Sequence, residues 1–384
     1  MADYKLLIGG QLVAGDAVMD VINPATEEVL AVCPRASEAQ LDAAVAAGKA
    51  AFPAWAHTPI AERRAMLLKL ADALSARIDE FARLLTQEQG KPLSESTAEI
   101  AYTEAFVRHL AMLELEARLI EDGESRRVVM RRRPLGVVGA IIPWNFPVLI
   151  VAFKLPLALL AGNTIVVKPA PTTPLTTLLF GELCAEIFPA GVVNIITDQN
   201  DLGTRLTCHP DIAKVTFTGS TETGRKVMAS AAATIKRITL ELGGNDAAIV
   251  LADADPATAA PGIFRAAFMN AGQVCLAIKR VYVHDDIYDE MCAALARLAE
   301  EAVLDDGLLQ GTQIGPLQNK AQYEKVKTFL DDARASGTII AGGEIQDRAG
   351  YFIRPTIVRD ISDGTKLVDE EQFGPVLPVI RFSH

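Results

Sequence analysis

The chain has 384 residues, 50% of them hydrophobic, and 37 basic against 48 acidic side chains give a net charge of −11. That is enough apolar material for more than one core, which excludes a disordered chain. The acidic balance, with no basic stripe interleaved with aromatics, argues against nucleic acid as a partner.

In chain order, the opening MADYKLLIGG carries Asp3 where a signal peptide needs basic residues, and its apolar run is short. Gly9-Gly10 between two apolar runs predicts a hairpin, and Asn23-Pro24 predicts a turn. Ser37 with Gln40 makes a capping box ahead of Leu41, Ala44, Val45, Gly48 and Phe52. From Pro59 one long amphipathic run through Leu67, Leu70, Leu74, Ile78, Phe81 and Leu85 predicts a helix ending at Gly90 and Pro92, with another from about Ser96. The basic stretch Arg126 to Arg133 lacks the glycines of a phosphate cradle and is expected to be a solvated edge strand or arm.

The period changes at Gly136. GVVGAII, NTIVVK, VVNIIT and KVTFTG are short β-rich runs separated by helix-length segments, the pattern of a parallel sheet wound with helices and a nucleotide-binding half. The most apolar segment, Pro147 to Val167, is interrupted by Lys154, Pro156, Gly162 and Asn163, so it is expected to be a buried helix running into a strand. KRITLELGGNDAAIVLADAD reads as strand, bend at Gly243-Gly244, strand. Five irregularly spaced cysteines without a CxxC fit reduced cytosolic thiols, and five scattered histidines give no metal signature.

Several residues carry candidate chemistry. Cys275 follows Asn270, Gly272 and Gln273 in a small polar loop and precedes Lys279 and Arg280. A thiol of pKa about 8.5 becomes a nucleophile when nearby positive charge lowers that value; the bland alternative is a buried small hydrophobe. Glu241 stands at the glycine bend, where a strand-end carboxylate can act as a general base or simply face solvent. Asn145, held between prolines in PWNFP, can donate to an oxyanion or cap the next helix. Lys168 ends NTIVVK as a point charge for a hydroxyl or phosphate. Gly219, Ser220 and Gly224 open a helix whose N-terminus can take a pyrophosphate, although GSTETG is not GxGxxG.

Together PWNFP, VKPA at Val167–Ala170, FTGSTETG, ELGG, NAGQVC and EEQFGPV, in this order and spacing, resemble the NAD(P)-dependent aldehyde dehydrogenase superfamily from about residue 7 to residue 382. The resemblance implies an α/β fold with a Rossmann-type parallel-sheet cofactor domain at 1–115 and 135–243. It further implies a small β oligomerisation arm at 116–134 and a second α/β catalytic domain from 244 to 384. It makes Cys275 the nucleophile, Asn145 and the Cys275 N–H the oxyanion donors, and Glu241 the activator of water. Lys168 would bind the adenosine ribose, Pro143 and Trp144 would line the cofactor channel, and Ser220 would meet the pyrophosphate. Glu371 and Phe373 would grip the nicotinamide ribose and ring, with Ile141, Gly203, Phe217, Gly219 and Leu242 completing the cofactor positions. A small aldehyde, NAD or NADP, a cytoplasmic homodimer or homotetramer and no metal follow as expectations.

The sequence departs from the family pattern at three points. Pro171 stands where many NAD-using members carry a glutamate that chelates both ribose hydroxyls, so NADP becomes plausible. The usual glycine-rich loop after VVNIIT reads DQNDLG, where Asp198 and Gln199 restrict the backbone and Gly203 remains. The chain also stops at His384, where family chains continue; a lost C-terminal segment is expected, and with it a catalytically impaired nucleotide-binding or assembly protein as the alternative function. A thiol hydrolase or a CoA-acylating variant is a minor reading, since no histidine has a recognisable partner context and Glu241 suits plain hydrolysis. Phe106, Leu110, Val274 and Leu276 suggest an apolar substrate lining. The role of Lys279, catalytic or solvent-facing, is open.

Overall fold

The computed structural model describes residues 3–383; Met1 and Ala2 of the opening stretch and the terminal His384 lie outside the described residues. Packing divides the chain into two compact units, the first running to Val21 and including Ala31–Ala82 and Thr97–Glu241, the second comprising Ile22–Leu30, Arg83–Ser96 and the chain from Leu242 onward. The sequence-based boundaries placed 22–30 and 83–96 in the first half. Long-range hydrogen bonds draw them elsewhere: Tyr351 N–H donates to Pro24 O at 3.0 Å and Leu93 N–H to Gly307 O at 2.9 Å.

The first unit begins with β1 (Leu6–Ile8) and β2 (Gln11–Val13), an antiparallel hairpin across Gly9-Gly10. β3 (Ala17–Ile22) and β4 (Val29–Arg35) form a separate two-stranded sheet. α1 (Glu38–His57) has the capping box expected of Ser37 and Gln40, with both reciprocal bonds present. The long run from Pro59 is two helices, not one: α2 (Ile60–Ala76) stops at Arg77, whose N–H closes a tight turn on Leu74 O, and α3 (Ile78–Gln89) restarts. α4 (Leu93–Ala111) follows, and then β5 (Arg118–Asp122) and β6 (Arg127–Met130) pair as an exposed antiparallel hairpin.

Four βα units come next: β7 (Val137–Ile141), α5 (Pro147–Leu160), β8 (Thr164–Lys168), α6 (Leu175–Ile187), β9 (Val193–Ile195), α7 (Gly203–Cys208), β10 (Ile212–Thr218), α8 (Thr221–Ala232), closed by β11 (Arg237–Glu241). They build a seven-stranded sheet of order β11-β10-β7-β8-β9-β1-β2, parallel except at the β1–β2 edge. Every residue of β8 is buried, which is why central parallel strands read as continuous apolar runs. α5 is the expected buried helix, and no helix among the described residues is long and apolar enough to cross a membrane.

The second unit holds a five-stranded sheet of order β12-β13-β16-β15-β14. Its elements are β12 (Asp246–Val250), α9 (Pro256–Phe268), β13 (Ile278–His284), α10 (Tyr288–Glu301), α11 (Lys320–Ser336), β14 (Thr338–Ala341), β15 (Thr356–Arg359), α12 (Lys366–Asp369) and β16 (Val376–Phe382). β12, β13, β16 and β15 run parallel to their neighbours, and the core beneath includes Phe268, Val281, Phe329, Phe352 and Val379.

Candidate active site

In the first unit the strand order reverses between β7 and β10, and open α/β sheets bind ligands at the carboxyl ends of the strands flanking such a point. A cavity of about 540 Å³ lies there. Ile141, Pro143 and Trp144 line it from the end of β7, Lys168 from the end of β8, Gly203 from the start of α7, and Phe217, Gly219 and Ser220 from the end of β10. Eight of the residues singled out in the sequence therefore share one wall. Thr204, Thr207, Lys226 and Ser230 also line it and were missed; they lie within α7 and α8, outside the motifs that the sequence offered.

The cavity's chemistry suits a dinucleotide. Ser220 caps α8, its Oγ accepting from Thr223 N–H at 3.2 Å, which leaves the positive end of a twelve-residue helix facing the space. A side chain at Gly219 would meet the Phe217 ring at 2.5 Å, so the backbone is bare there. Lys168 is not a lone charge. Its Nζ donates to Asp198 Oδ1 at 2.6 Å, both side chains are almost fully buried, and Asp198 Oδ2 accepts the Leu202 N–H at 3.0 Å. The aspartate expected to stiffen the DQNDLG loop thus also balances the lysine.

Asn145 is buried in the turn between β7 and α5. The first turn of α5 is held by Glu99, whose Oε1 accepts from Val148 and Leu149 N–H, each at 3.2 Å. Glu241 is the last residue of β11 and is exposed. One residue acting on it was missed: Lys154, buried in α5, donates to Thr216 Oγ1 at 3.0 Å. Burial draws its pKa down to about 8, the Glu241 carboxylate pulls it back up, and Lys214 adds to the lowering. A single lysine in PVLIVAFKLPLALL was the available signal.

Cys275 belongs to the second unit. Its loop begins as a tight turn, Met269–Gly272, in which Asn270, Ala271 and Gly272 are all left-handed at φ 51°, 54° and 75°. Only Gly272 adopts that freely, and a side chain there would stand 2.4 Å from Gly374 O. The other two are held by their surroundings. Asn270 N–H donates to Glu95 Oε2 at 2.9 Å, and Asn270 Oδ1 accepts from Gln89 Nε2 at 2.9 Å. Gln273 Nε2 donates to Asn270 O at 2.8 Å, and Gln273 Oε1 accepts from Gln318 N–H at 2.9 Å.

The Cys275 thiol is half-buried, and burial pushes its pKa up; its own N–H, Lys279 and the Leu276 N–H push down, and Glu371 adds to the rise. The lowering expected of adjacent positive charge is present but outweighed by desolvation. Lys279 does not face solvent. It is buried, donating to Gly272 O at 2.9 Å and Val274 O at 2.7 Å, with Nζ 4.9 Å from the Phe373 ring centroid.

Glu371 Oε1 accepts from Gly244 N–H at 3.2 Å, and a Cβ at Gly243, next to Leu242, would lie 2.0 Å from Glu371 Oε2. The glycine bend is thus the space Glu371 occupies. Gln322 Nε2 donates to Gln372 O at 3.0 Å and Phe373 O at 2.9 Å, fixing the left-handed Phe373. Of the suggested apolar lining, Phe106 is partly exposed and stacks edge-on against Phe153 in the first unit; in the second, Val274 is core and Leu276 is exposed. Among the described residues no group of three or more His, Cys, Asp or Glu side chains is arranged to hold a metal ion.

The aldehyde dehydrogenase family model matches residues 13–384. A probable aldehyde dehydrogenase of a Pseudomonas species is 41% identical over 99% of this chain and 78% of its own length. Among solved structures, an NAD+ complex of aldehyde dehydrogenase from Bacillus cereus superposes with a TM-score of 0.97 at 39% identity, covering 100% of this chain and 80% of that one. An E. coli NADP dependent enzyme superposes at 0.96 with 37% identity, covering 99% and 81%.

Proposed function

We propose, from the premise that this chain belongs to the aldehyde dehydrogenase family, that its oxidation of a small-molecule aldehyde with NAD or NADP runs on Cys275, Asn145 and Glu241. The Cys275 thiolate attacks the aldehyde carbonyl carbon and the oxygen takes up the negative charge. The Asn145 amide and the Cys275 N–H donate to that oxygen. NAD(P)+, held by the residues named below, would supply the two-electron oxidation that takes the Cys275 adduct to a thioester. Glu241 then takes a proton from water, whose oxygen attacks the thioester carbonyl; the C–S bond breaks, the acid leaves and the thiolate returns.

Ile141, Pro143, Trp144, Phe217 and Gly203 would enclose the cofactor, Lys168 would meet the adenosine ribose, and Gly219 with Ser220 would hold the pyrophosphate. Leu242, Glu371 and Phe373 would hold the nicotinamide end. In this reading the first unit is the cofactor-binding domain, the second the catalytic domain, and the β5–β6 hairpin an oligomerisation arm of a cytoplasmic homodimer or homotetramer. Five irregularly spaced cysteines without a CxxC support a reducing compartment. The purely nucleotide-binding alternative is not favoured by the family match.

The observation that carries the assignment is the Cys275 thiol, presented half-buried at the end of three left-handed residues fixed by buried side chains. The test follows reduced nicotinamide spectrophotometrically over a panel of aldehydes with NAD and NADP in parallel. Cys275→Ala is expected to fall to background. Asn145→Ala is expected to lose about 100- to 1000-fold in kcat. Glu241→Gln is expected to keep a single-turnover burst with slow thioester hydrolysis. Turnover persisting in Cys275→Ala would refute the scheme.

A further inference from the structure

We propose that Lys279 is a positioning residue for the nucleophile: by holding the Val274 carbonyl inward, its ammonium aims the Cys275 backbone N–H toward Sγ and toward the oxyanion formed there. The proposal rests on the assignment of Cys275 above. Lys279 is the second residue of β13, its side chain turned back beneath the loop that precedes the strand. Two carbonyls, those of Gly272 and Val274, converge on its Nζ at 2.9 and 2.7 Å.

A planar trans peptide points its C=O and the following N–H in opposite directions. With Val274 O turned toward Lys279, the Cys275 N–H must point away from it. The thiol responds accordingly, since the Cys275 N–H is among the groups that favour its thiolate. The Gly272 carbonyl is fixed in the same way, and the Gln273 N–H of that peptide closes on Asn270 O at 3.0 Å. Two of the three peptides between Gly272 and Cys275 are thus oriented from one buried cation.

The charges facing that cation are Glu371, Cys275 and Asp246, which favour its ammonium form, and Lys325, which opposes it; burial dominates and draws its pKa to about 8. The Phe373 ring covers its outer side, and Gln372 Nε2 donates to the Lys279 carbonyl at 3.0 Å. The lysine therefore ties the nucleophile loop to the Glu371–Phe373 segment as well. Among the described contacts the acceptors on its Nζ are the two carbonyls of the loop, so its hydrogen bonds are spent on orienting those two peptides.

The experiment measures Cys275 alkylation by iodoacetamide against pH, quantified on the Cys275 peptide by mass spectrometry, in wild type, Lys279→Met and Lys279→Arg, without aldehyde or cofactor. Lys279→Met is expected to react about tenfold more slowly at neutral pH, its alkylation midpoint raised by about one pH unit. Lys279→Arg, still a charged donor, is expected to recover part of that rate. In turnover, kcat should fall while KM for the aldehyde stays within about twofold. A Lys279→Met protein that folds and alkylates with the wild-type profile overturns the proposal. If it does not fold, Lys279→Arg decides: its planar guanidinium cannot reproduce both carbonyl bonds of the ammonium, so its alkylation rate should stay below that of wild type, and a wild-type rate and profile overturn the proposal. Because alkylation needs neither substrate, failure of the oxidation scheme would leave this result readable by itself.

Discussion

Lys168 in the first unit and Lys279 in the second are both buried at strand ends, yet they are neutralised in different ways. Lys168 meets the Asp198 carboxylate at 2.6 Å. Lys279 meets two backbone carbonyls and an aromatic face. The difference separates a charge that is balanced in place from one whose proton is labile. The proposed ribose site thus carries a fixed ion pair, and the proposed nucleophile loop a cation held by carbonyl dipoles.

The strongest test of this contrast is stability. Asp198→Ala would leave the buried Lys168 ammonium unpaired and is expected to cost about 3–5 kcal/mol in denaturant unfolding. Lys279→Met leaves carbonyls without donors and is expected to cost about 1–3 kcal/mol. Equal losses would erase the distinction.

The pH dependence sharpens it. Burial lowers Lys279 from its ordinary 10.5 to about 8. Below about 8 both folded and unfolded chains carry the proton, and the desolvation penalty is present in full. Between 8 and 10.5 the unfolded chain binds the proton more often, so stability should rise with pH by up to about 1.4 kcal/mol per unit. Lys154, also near 8, adds a rise of the same sign. Cys292, pushed up to about 11 by burial, Cys275 and Cys184, raised for the same reason, and Tyr288, pushed up to about 12, act oppositely at higher pH, so the measurement belongs between about pH 8 and the ordinary thiol value of 9.0. Lys279→Met should remove its share of the rise; an unchanged slope would mean that this lysine is not the titrating group.

The smallest expected effect concerns cofactor choice. With Pro171 in place of a carboxylate, Asp198 is the remaining anion beside Lys168. Asp198→Asn keeps the shape but frees the lysine charge, and calorimetry should find 2′,5′-ADP binding about tenfold tighter relative to 5′-AMP, or about 1.4 kcal/mol. No change in that ratio would mean that Asp198 does not tune the ribose end.

Much of the fold was legible because its signals are local. The apolar runs of β7 and β8, the capping box at Ser37 and the glycine hairpin each depend on neighbours within a few residues. The break at Arg77 was not, since the apolar period continues through it and only a backbone turn onto Leu74 interrupts the helix. Nor was the assignment of 22–30 and 83–96 to the second unit, which rests on bonds to Tyr351 and Gly307 far along the chain. In the site, motif residues on loops were readable, whereas the Lys168–Asp198 pair, 30 residues apart, exists only once β8 and β9 lie side by side. Lys154 was legible only as an interruption of an apolar run and Lys279 as a basic residue after Cys275, and the partners of neither could be read.

The left-handed Ala271 sets stability and function at odds for anyone engineering this protein. An alanine at φ 54° is strained, and glycine there would relieve it by about 1 kcal/mol. A screen for heat resistance would therefore favour Ala271→Gly, while the added backbone freedom two residues before Gln273 and four before Cys275 loosens the loop that presents the thiol. Selection for robustness alone would drift toward a sturdier and slower enzyme.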